Sequence, residues 1–330
     1  MSGTVVVGLD VGGTSTRALA ATLDGERLGT GRADGGNPTS HGAAHAASQL
    51  LTALRAALAD VDPARVRAGV IGLAGGGRLR ADPNCRAAFD RAWHAAGLRC
   101  PYAVHGDALV GYASGTADPN GTILVAGTGA IAATVRDLRL DRVADGHGWL
   151  LGDAGSGFWL GRQAVRRLLT ALDRGDDPGW LGRRVLAELT GSAEVAARPR
   201  DTVDTLVQAV TRHPPVRLAH LAPAVVDAAA AGDPGGAALI AEAAALLTAT
   251  VRRIRPSGDT GPLILGGGLL TGDNPLAATV RTAAHRHWPG VPVRRAGDGA
   301  AAAAWLAARD LPGVTDPATL HTRLVTPATH

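Results

Sequence analysis

Short apolar runs that end in glycine recur along the chain. The first, from Val5 to Leu9, leads to one carboxylate, Asp10, a turn at Gly12-Gly13-Thr14 and a second apolar run from Ala18 to Leu23. This pattern predicts a buried strand, a tight turn and a returning strand. Two glycines allow a sharp turn that leaves backbone N–H groups open to an anion such as phosphate. An ordinary glycine hairpin has the same pattern.

The hydrophobic spacing up to about residue 115 predicts an α/β unit. Asp24-Gly25 is a two-residue turn signal, so a third antiparallel strand is expected after it. Thr39 or Ser40 is expected to begin a helix that runs to about Ala59. The later predicted elements are a strand over 70–74, a helix from 82, a strand over 102–105 and a small helix from 108.

The pattern then restarts, which predicts an internal duplication. An apolar run from Thr122 to Ala126 reaches a turn at Gly127-Thr128-Gly129, and Ala130 to Val135 returns as a strand. The second copy has no counterpart of Asp10. A third strand ends in Gly266-Gly267-Gly268.

Proline and glycine divide the remaining chain into predicted helices. Residues 176–242 are expected to be mostly helical, and a long alanine-rich helix is expected over 235–254. Residues 291–293 fit an edge strand, where proline is tolerated. A last helix is expected over 300–309, with the tail to His330 wrapped on the surface or loose.

Composition narrows the class of protein. The 330 residues, 46% of them hydrophobic, are typical of a globular protein with two core-bearing domains. We expect no apolar run to reach the roughly 18 residues that cross a membrane, and the N-terminus shows no signal sequence, so a cytoplasmic protein without a membrane partner is expected. Cys85 and Cys100 have neither disulfide-framework nor zinc-site spacing.

The chain contains no lysine, and all 33 of its Lys and Arg residues are arginine. A Walker A loop, a protein kinase site and a pyridoxal phosphate site each need a lysine, so these classes are excluded. The net charge of +4 is small, and only 3% of residues are aromatic. No nucleic-acid partner is therefore expected.

Three glycine turns at strand ends, together with Asp10 and Asp107, predict a nucleotide site with two phosphate turns and one nucleoside turn. This set resembles the sugar kinase, actin and heat-shock ATPase superfamily. Within it, residues 8–17 and 152–159 resemble the BadF/BadG/BcrA/BcrD ATPase family and its N-acetylglucosamine kinases. The resemblance extends to about Ala304 and is loose over 176–242.

The resemblance implies an α/β fold with two ribonuclease H-like (actin-like ATPase) domains and a ligand cleft between them. The N-terminal domain would comprise residues 1–115 and about 300–330 and carry the catalytic aspartate. The C-terminal domain would comprise residues 116–299 with a helical insertion. A homodimer, an amino-sugar substrate, ATP and Mg²⁺ are implied by the same family.

The resemblance also implies a role for individual residues. Asp10 would hold Mg²⁺ through water, and Asp107 would take the proton from the sugar hydroxyl. The implied ATP-binding residues are Asp10, Gly12, Gly13, Thr14, Thr128, Gly129, Gly266, Gly267 and Gly268. The implied sugar-binding residues are Asn37, Asp107, Gly146, His147, Gly148 and Asp153.

The residues themselves are compatible with these roles. Phosphoryl transfer depends mainly on positioning and charge neutralisation, so lysine is optional where Mg²⁺ and backbone N–H groups are present. Asp107 precedes a predicted short helix whose dipole would favour its ionised form. A carboxylate such as Asp153 on a glycine-rich loop can accept hydrogen bonds from two sugar hydroxyls. A purely structural role is the alternative for three of these residues: Asp107 as a helix cap, Asn37 as a turn residue and His147 as a loop-packing residue.

The predicted function is an ATP-dependent kinase that transfers the γ-phosphoryl group to the 6-hydroxyl of N-acetylglucosamine. The nearest alternative is a glucosamine kinase. A second is an activator ATPase of an acyl-CoA reductase or dehydratase, although the two cysteines lack a recognisable iron–sulfur spacing. A third is a sugar-sensing regulator or inactive binding module, although no helix-turn-helix precedes Val5.

Overall fold

The computed structural model describes residues 3–325, without the side chains of Arg78 and Arg80. The end of the predicted tail, residues 326–330, lies outside the described residues. The strands are β1 (Val5–Val11), β2 (Ser15–Thr22), β3 (Arg27–Asp34), β4 (Val66–Leu73), β5 (Tyr102–Gly106), β6 (Gly121–Ala126), β7 (Ala130–Arg136), β8 (Arg139–Asp145), β9 (Leu263–Gly266) and β10 (Val293–Arg295).

Helices connect and cover the strands, and 3₁₀ turns lie at Pro63–Arg65 and Pro215–Leu221. The helices are α1 (Pro38–His41), α2 (Ala43–Ala57), α3 (Gly76–Ala81), α4 (Pro83–Ala95), α5 (Asp107–Ala113), α6 (Gly157–Arg174), α7 (Gly179–Thr190), α8 (Pro199–Thr211), α9 (Ala222–Ala230), α10 (Pro234–Ile254), α11 (Gly268–Thr271), α12 (Pro275–His287), α13 (Gly299–Ala308) and α14 (Pro317–Val325).

The chain forms two compact units. Unit 1 contains the residues up to 120, residues 135–139 and the residues from 296 onward; unit 2 contains residues 121–134 and 140–295. The sequence-based division at about residues 115 and 300 places the boundaries a few residues away.

Each unit has a five-stranded sheet, and the two sheets share one topology. The order is β3-β2-β1-β4-β5 in unit 1 and β8-β7-β6-β9-β10 in the second sheet. In the first, β1 pairs antiparallel with β2 and parallel with β4, and β4 pairs parallel with β5. In the second, β9 pairs parallel with both β6 and β10. The predicted duplication is confirmed at the level of strand order, whereas β8 was not predicted.

The prediction of one continuous helix from Thr39 or Ser40 to Ala59 is wrong. This segment is divided into α1 and α2 at Gly42, whose φ of 82° breaks the helical path. The residue that caps α1 is Asn37, whose side chain accepts a hydrogen bond from the Thr39 N–H at 2.8 Å.

Helix α13 covers the first strand of unit 1 at very close range. A Cβ on Gly8 would collide with the backbone of Ala300, Ala303 and Ala304. Only a glycine on β1 allows this helix to lie so close to the sheet, because the colliding atoms belong to backbone that cannot rotate away.

We therefore expect Gly8→Ala to lower the free energy of unfolding by about 1–3 kcal/mol or more, the usual cost of overpacking. Urea titration followed by circular dichroism measures the change. The control is Gly77→Ala, because a Cβ on Gly77 meets no atom within 4 Å. Equal stability of the two variants would contradict the proposed close packing.

Helix α10 passes through the core of unit 2. Its buried residues include Leu239, Ile240, Leu247 and Val251. By length and composition it could cross a membrane, so the expectation that no apolar stretch reaches that length is wrong for α10. Half of the apolar stretch of α10 is buried within the protein. Core helices of soluble proteins can have the same length and composition, so one such helix is weak evidence for a membrane span.

Candidate active site

The first glycine turn joins β1 to β2 at the carboxyl end of β1. The Gly12 N–H donates to the Ser15 carbonyl at 3.0 Å, and the Gly36 N–H donates to the Gly12 carbonyl at 3.0 Å. Gly13 and Thr14 are exposed, and a Cβ on Gly13 would meet nothing within 4 Å. The turn is therefore closed by its own backbone and open to solvent, which suits the approach of a phosphate.

Asp10 lies just before this turn, beside the first residue of α13. A Cβ on Gly299 would be 2.6 Å from Asp10 Oδ2, so glycine is needed for the carboxylate to occupy this position. Desolvation raises the pKa of Asp10 to about 6, and the negative charges of Asp107 and Asp298 act in the same direction. Arg17, the antiparallel partner of Asp10, lowers this pKa. Asp10 is therefore a site that would gain from a bound cation.

Asp298 belongs to this group, although sequence reasoning did not single it out. It is the N-cap of α13, where Oδ1 accepts the Ala301 N–H at 3.2 Å. Its Oδ2 pairs with an Arg27 guanidinium nitrogen at 2.6 Å. The sequence Asp298-Gly299 before a predicted helix is a signal that could have drawn attention to Asp298. The proximity of Asp298 to Asp10, however, depends on the folding of distant segments.

Asp107 is the first residue of α5, directly after β5. Gly106 is the N-cap, so the helix-cap alternative for Asp107 is wrong. Its Oδ1 accepts the Ala108 N–H at 2.9 Å, and the side chain reaches solvent. Desolvation nevertheless raises its pKa and outweighs the helix terminus, which was expected to favour the ionised form. The hydrogen bond to Ala108 lowers the pKa by less than desolvation raises it.

Asn37 lies near the end of β4, in the same unit. A Cβ on Gly75, which has φ of 72°, would be 2.6 Å from both Asn37 Oδ1 and Thr39 Oγ1. Since β1, β4 and β5 are parallel, their carboxyl ends lie along one edge of the sheet. The structure thus brings the first turn, Asp10, Asn37 and Asp107 to one edge of unit 1.

The second glycine turn joins β6 to β7 in unit 2. It is closed by a hydrogen bond from the Gly127 N–H to the Gly129 carbonyl at 2.9 Å. The start of α6 packs on it, because the Gly157 and Phe158 N–H groups donate to the Gly127 and Thr128 carbonyls at 2.8 and 3.1 Å. The Thr128 side chain is exposed.

The third turn lies beside the second. A Cβ on Gly267, which has φ of 79°, would collide with the backbone of Ala126 at the end of β6. Gly266 pairs with Val125, and Gly268 begins α11, where an added Cβ would meet no atom within 4 Å. These contacts place two of the predicted nucleotide-binding turns side by side.

Asp153 also lies at the second turn. Its Oδ1 accepts the Ala130 N–H at 3.0 Å, and a Cβ on Gly129 would be 2.7 Å from this oxygen. The residue is 8% exposed, and desolvation raises its pKa. One of the two oxygens expected to face sugar hydroxyls is therefore engaged by the protein backbone.

The segment Gly146-His147-Gly148 lies after β8 and is exposed to solvent. Its Gly146 N–H donates to the Ala130 carbonyl at 2.9 Å, which brings the segment to the second turn. Asp145, which sequence reasoning did not assign, accepts hydrogen bonds from the Asp153 and Ala154 N–H groups at 2.6 and 2.9 Å.

Two groups of predicted residues result, one in each unit. Across the part of the chain that the structure describes, no group of three or more His, Cys, Asp or Glu side chains is placed to hold a metal. Asp10 is a single carboxylate and would need further ligands to hold Mg²⁺. It therefore fits a metal that arrives with a nucleotide, because the phosphates would supply those ligands.

Comparison with protein families decides the classification. The family model of the BadF/BadG/BcrA/BcrD ATPase family matches residues 7–307. The chain belongs to this family. The predicted family is therefore confirmed, and the three glycine turns of this BadF-type ATPase lie within the matched region.

Individual relatives of this BadF-type ATPase point to sugar kinases. N-acetyl-D-glucosamine kinase of Dictyostelium discoideum is 28% identical over 184 residues, which cover 53% of this chain and 57% of that protein. The chain thus matches a little over half the length of this curated relative. A proposed N-acetylglucosamine kinase from Chromobacterium violaceum, known as a crystal structure, is 26% identical with a TM-score of 0.73 and coverage of 93% and 99%.

The predicted α/β fold with two domains is confirmed by the same kind of comparison. A ROK family glucokinase from Streptomyces griseus, solved with glucose and AMPPNP, has a TM-score of 0.56 at 21% identity and covers 92% of this chain and 99% of its own. This likeness shows a two-domain α/β fold.

Proposed function

We propose that this BadF-type ATPase is an amino-sugar kinase that transfers the γ-phosphoryl group of ATP to the 6-hydroxyl of N-acetylglucosamine. The main support for this proposal is the position of the Asp107 carboxylate, which reaches solvent at the same sheet edge as Asp10 and the first glycine turn. The names of the Dictyostelium and Chromobacterium relatives support the amino sugar as the substrate class.

The glycine turns would hold the nucleotide. Exposed Thr14 and Thr128, with the backbone N–H groups of their turns, have the chemistry to bind phosphates. The Gly266-Gly267-Gly268 turn, packed on Ala126, would face the adenosine. Mg²⁺, when bound, neutralises phosphate charge, and Asp10 would hold its water ligands.

Asp107 would act as the base. Oδ1 accepts the Ala108 N–H, which orients the carboxyl group and leaves Oδ2 to receive the proton of the sugar hydroxyl. The raised pKa makes the Asp107 carboxylate a better proton acceptor than an ordinary aspartate.

Asn37, Gly146, His147, Gly148 and Asp153 would bind the sugar. The Asn37 side chain has an amide nitrogen to donate, because its oxygen accepts the Thr39 N–H. Asp153 Oδ2 would accept a hydrogen bond from a sugar hydroxyl. The three residues 146–148 supply exposed backbone groups.

The remaining expectations form part of the same proposal. The enzyme would work as a cytoplasmic homodimer with Mg²⁺ and would have two domains divided near residues 115 and 300. Light scattering coupled to size-exclusion chromatography measures the oligomeric state, and a monomer over the working concentration range would contradict the dimer.

The function is tested by a coupled ADP-release assay with Mg-ATP and N-acetylglucosamine, glucosamine, N-acetylmannosamine, N-acetylmuramic acid and glucose. We expect the highest kcat/KM with N-acetylglucosamine, and NMR of the product should locate the phosphate on O6. A higher kcat/KM with glucosamine would identify the nearest alternative instead. Absence of ADP release with every amino sugar would refute the proposal.

The activator alternative receives no support from the cysteines. Cys85 is buried in the core of unit 1 and Cys100 is partly buried. A buried core thiol is not available to bridge two subunits with a cluster. An iron determination and a visible spectrum of the purified protein provide an independent check.

A further inference from the structure

The loop over residues 146–152 is tied together at its base by one carboxylate. Asp145, the last residue of β8, is only 7% exposed. Its Oδ1 accepts the Asp153 N–H at 2.6 Å and its Oδ2 accepts the Ala154 N–H at 2.9 Å. Both oxygens of a buried side chain thus bind the far end of the loop, which compensates for the loss of hydration.

The local backbone is shaped for this arrangement. Asp145 and Asp153 have φ of 64° and 59°, values that are uncommon for residues other than glycine. A Cβ on Gly152 would collide with Asp145 Oδ1, so the loop can close on the carboxylate only with glycine there. Such conformations persist where surrounding contacts impose them, and they concentrate at functional sites.

The tie continues from the loop to the second glycine turn. The Asp145 carboxylate fixes the Asp153 main chain, and the Asp153 carboxylate in turn accepts the Ala130 N–H at 3.0 Å. The Ala130 carbonyl accepts the Gly146 N–H at 2.9 Å. Ala130 is therefore bound on both sides by residues whose positions depend on Asp145.

We propose that Asp145 is a positioning residue that holds the 146–152 loop and, through Asp153, sets the geometry of the turn at 127–130. This role rests on the proposed function, in which the loop binds the sugar and the turn binds phosphate. Both Asp145 oxygens are occupied by backbone N–H groups, so Asp145 itself would touch neither reactant. It acts by linking the two segments of unit 2 in one hydrogen-bonded chain.

Hydrogen–deuterium exchange of the substrate-free protein tests the link directly. Asp145→Ala removes both acceptors, and Asp145→Asn keeps the shape and one acceptor oxygen. The control is Asp141→Asn, an exposed aspartate on the same strand. We expect exchange in peptides over 145–154 and over 128–131 to rise in Asp145→Ala, to rise less in Asp145→Asn and to stay at the wild-type level in the control.

Steady-state kinetics supply the second readout. For Asp145→Ala we expect the KM for the amino sugar to rise at least about tenfold, as small displacements of binding groups can cost this much. Asp145→Asn should be intermediate. A merely structural role would reduce the active fraction and hence kcat, with KM unchanged. If Asp145→Ala does not fold, Asp145→Asn carries both measurements.

The outcomes separate the two proposals. Faster exchange confined to 145–154, with 128–131 unchanged, or an unchanged sugar KM in a folded variant, would overturn the positioning role. A wild-type protein inactive with every amino sugar would refute the proposed function, and the exchange at 128–131 would still decide whether Asp145 fixes the turn.

Discussion

Asp107→Asn should lower kcat for phosphoryl transfer by at least about 100-fold, within the range of general-base contributions. The amide can still accept the Ala108 N–H, so α5 should keep its first turn, but it cannot accept the hydroxyl proton. ATP binding should be retained. The negative charge of Asp107 raises the pKa of Asp10. Removing that charge in Asp107→Asn should therefore lower the pKa of Asp10 and slightly favour Mg-ATP binding.

Kinetic measurement of kcat and titration with a non-hydrolysable ATP analogue check these two effects separately. Asp60→Asn, a change at an exposed aspartate, is the matched control and should behave as wild type. Since desolvation raises the pKa of Asp107, kcat/KM of the wild type should fall on the acidic side as the base becomes protonated. Full turnover by Asp107→Asn would exclude Asp107 as the base.

Asp10→Asn should abolish measurable transfer and yet stabilise the ligand-free protein. The pKa of Asp10 rises from 3.8 to about 6 on folding, so the folded state holds this proton more tightly than the unfolded state. The wild type therefore loses stability as pH rises from about 4 to about 6, and the loss persists at neutral pH. Removing the charge should recover about 1–2 kcal/mol after solvent screening.

Denaturant unfolding at pH 5 and pH 8, without nucleotide or metal, measures this gain. The difference between Asp10→Asn and wild type should be larger at pH 8. With Mg-ATP present the order should reverse, because only the wild type gains stability from binding. A variant that is less stable than wild type at pH 8 without ligand would show that the Asp10 charge is already compensated within the fold.

The strand–turn–strand units could be predicted from the sequence because their signals are local. An apolar run, a pair of glycines and a second apolar run determine a hairpin within about fifteen residues. The repeat of this pattern at Gly127 also indicated the shared topology of the two sheets. The family resemblance added roles that the pattern alone leaves open, such as those of Asn37 and His147.

Contacts between distant segments could not be predicted in this way. Nothing near Asp153 in the sequence indicates that its carboxylate accepts the Ala130 N–H, and nothing near Asp10 indicates Asp298. Strand β8 was missed because its mostly exposed residues give no apolar run. The net rise in the pKa of Asp107 was not predicted, because desolvation depends on the whole surroundings, whereas the helix terminus is a local feature.

The packing of α13 on β1 has a consequence for synthesis on the ribosome. The strand that carries Asp10 leaves the ribosome before unit 2, whereas the helix that covers it, residues 299–308, follows after all of unit 2. The core of unit 2 can thus form while the first sheet still exposes the face around Gly8. A nascent chain that stops before residue 299 would hold a finished second unit and an unfinished first one, and would be a natural client for chaperones.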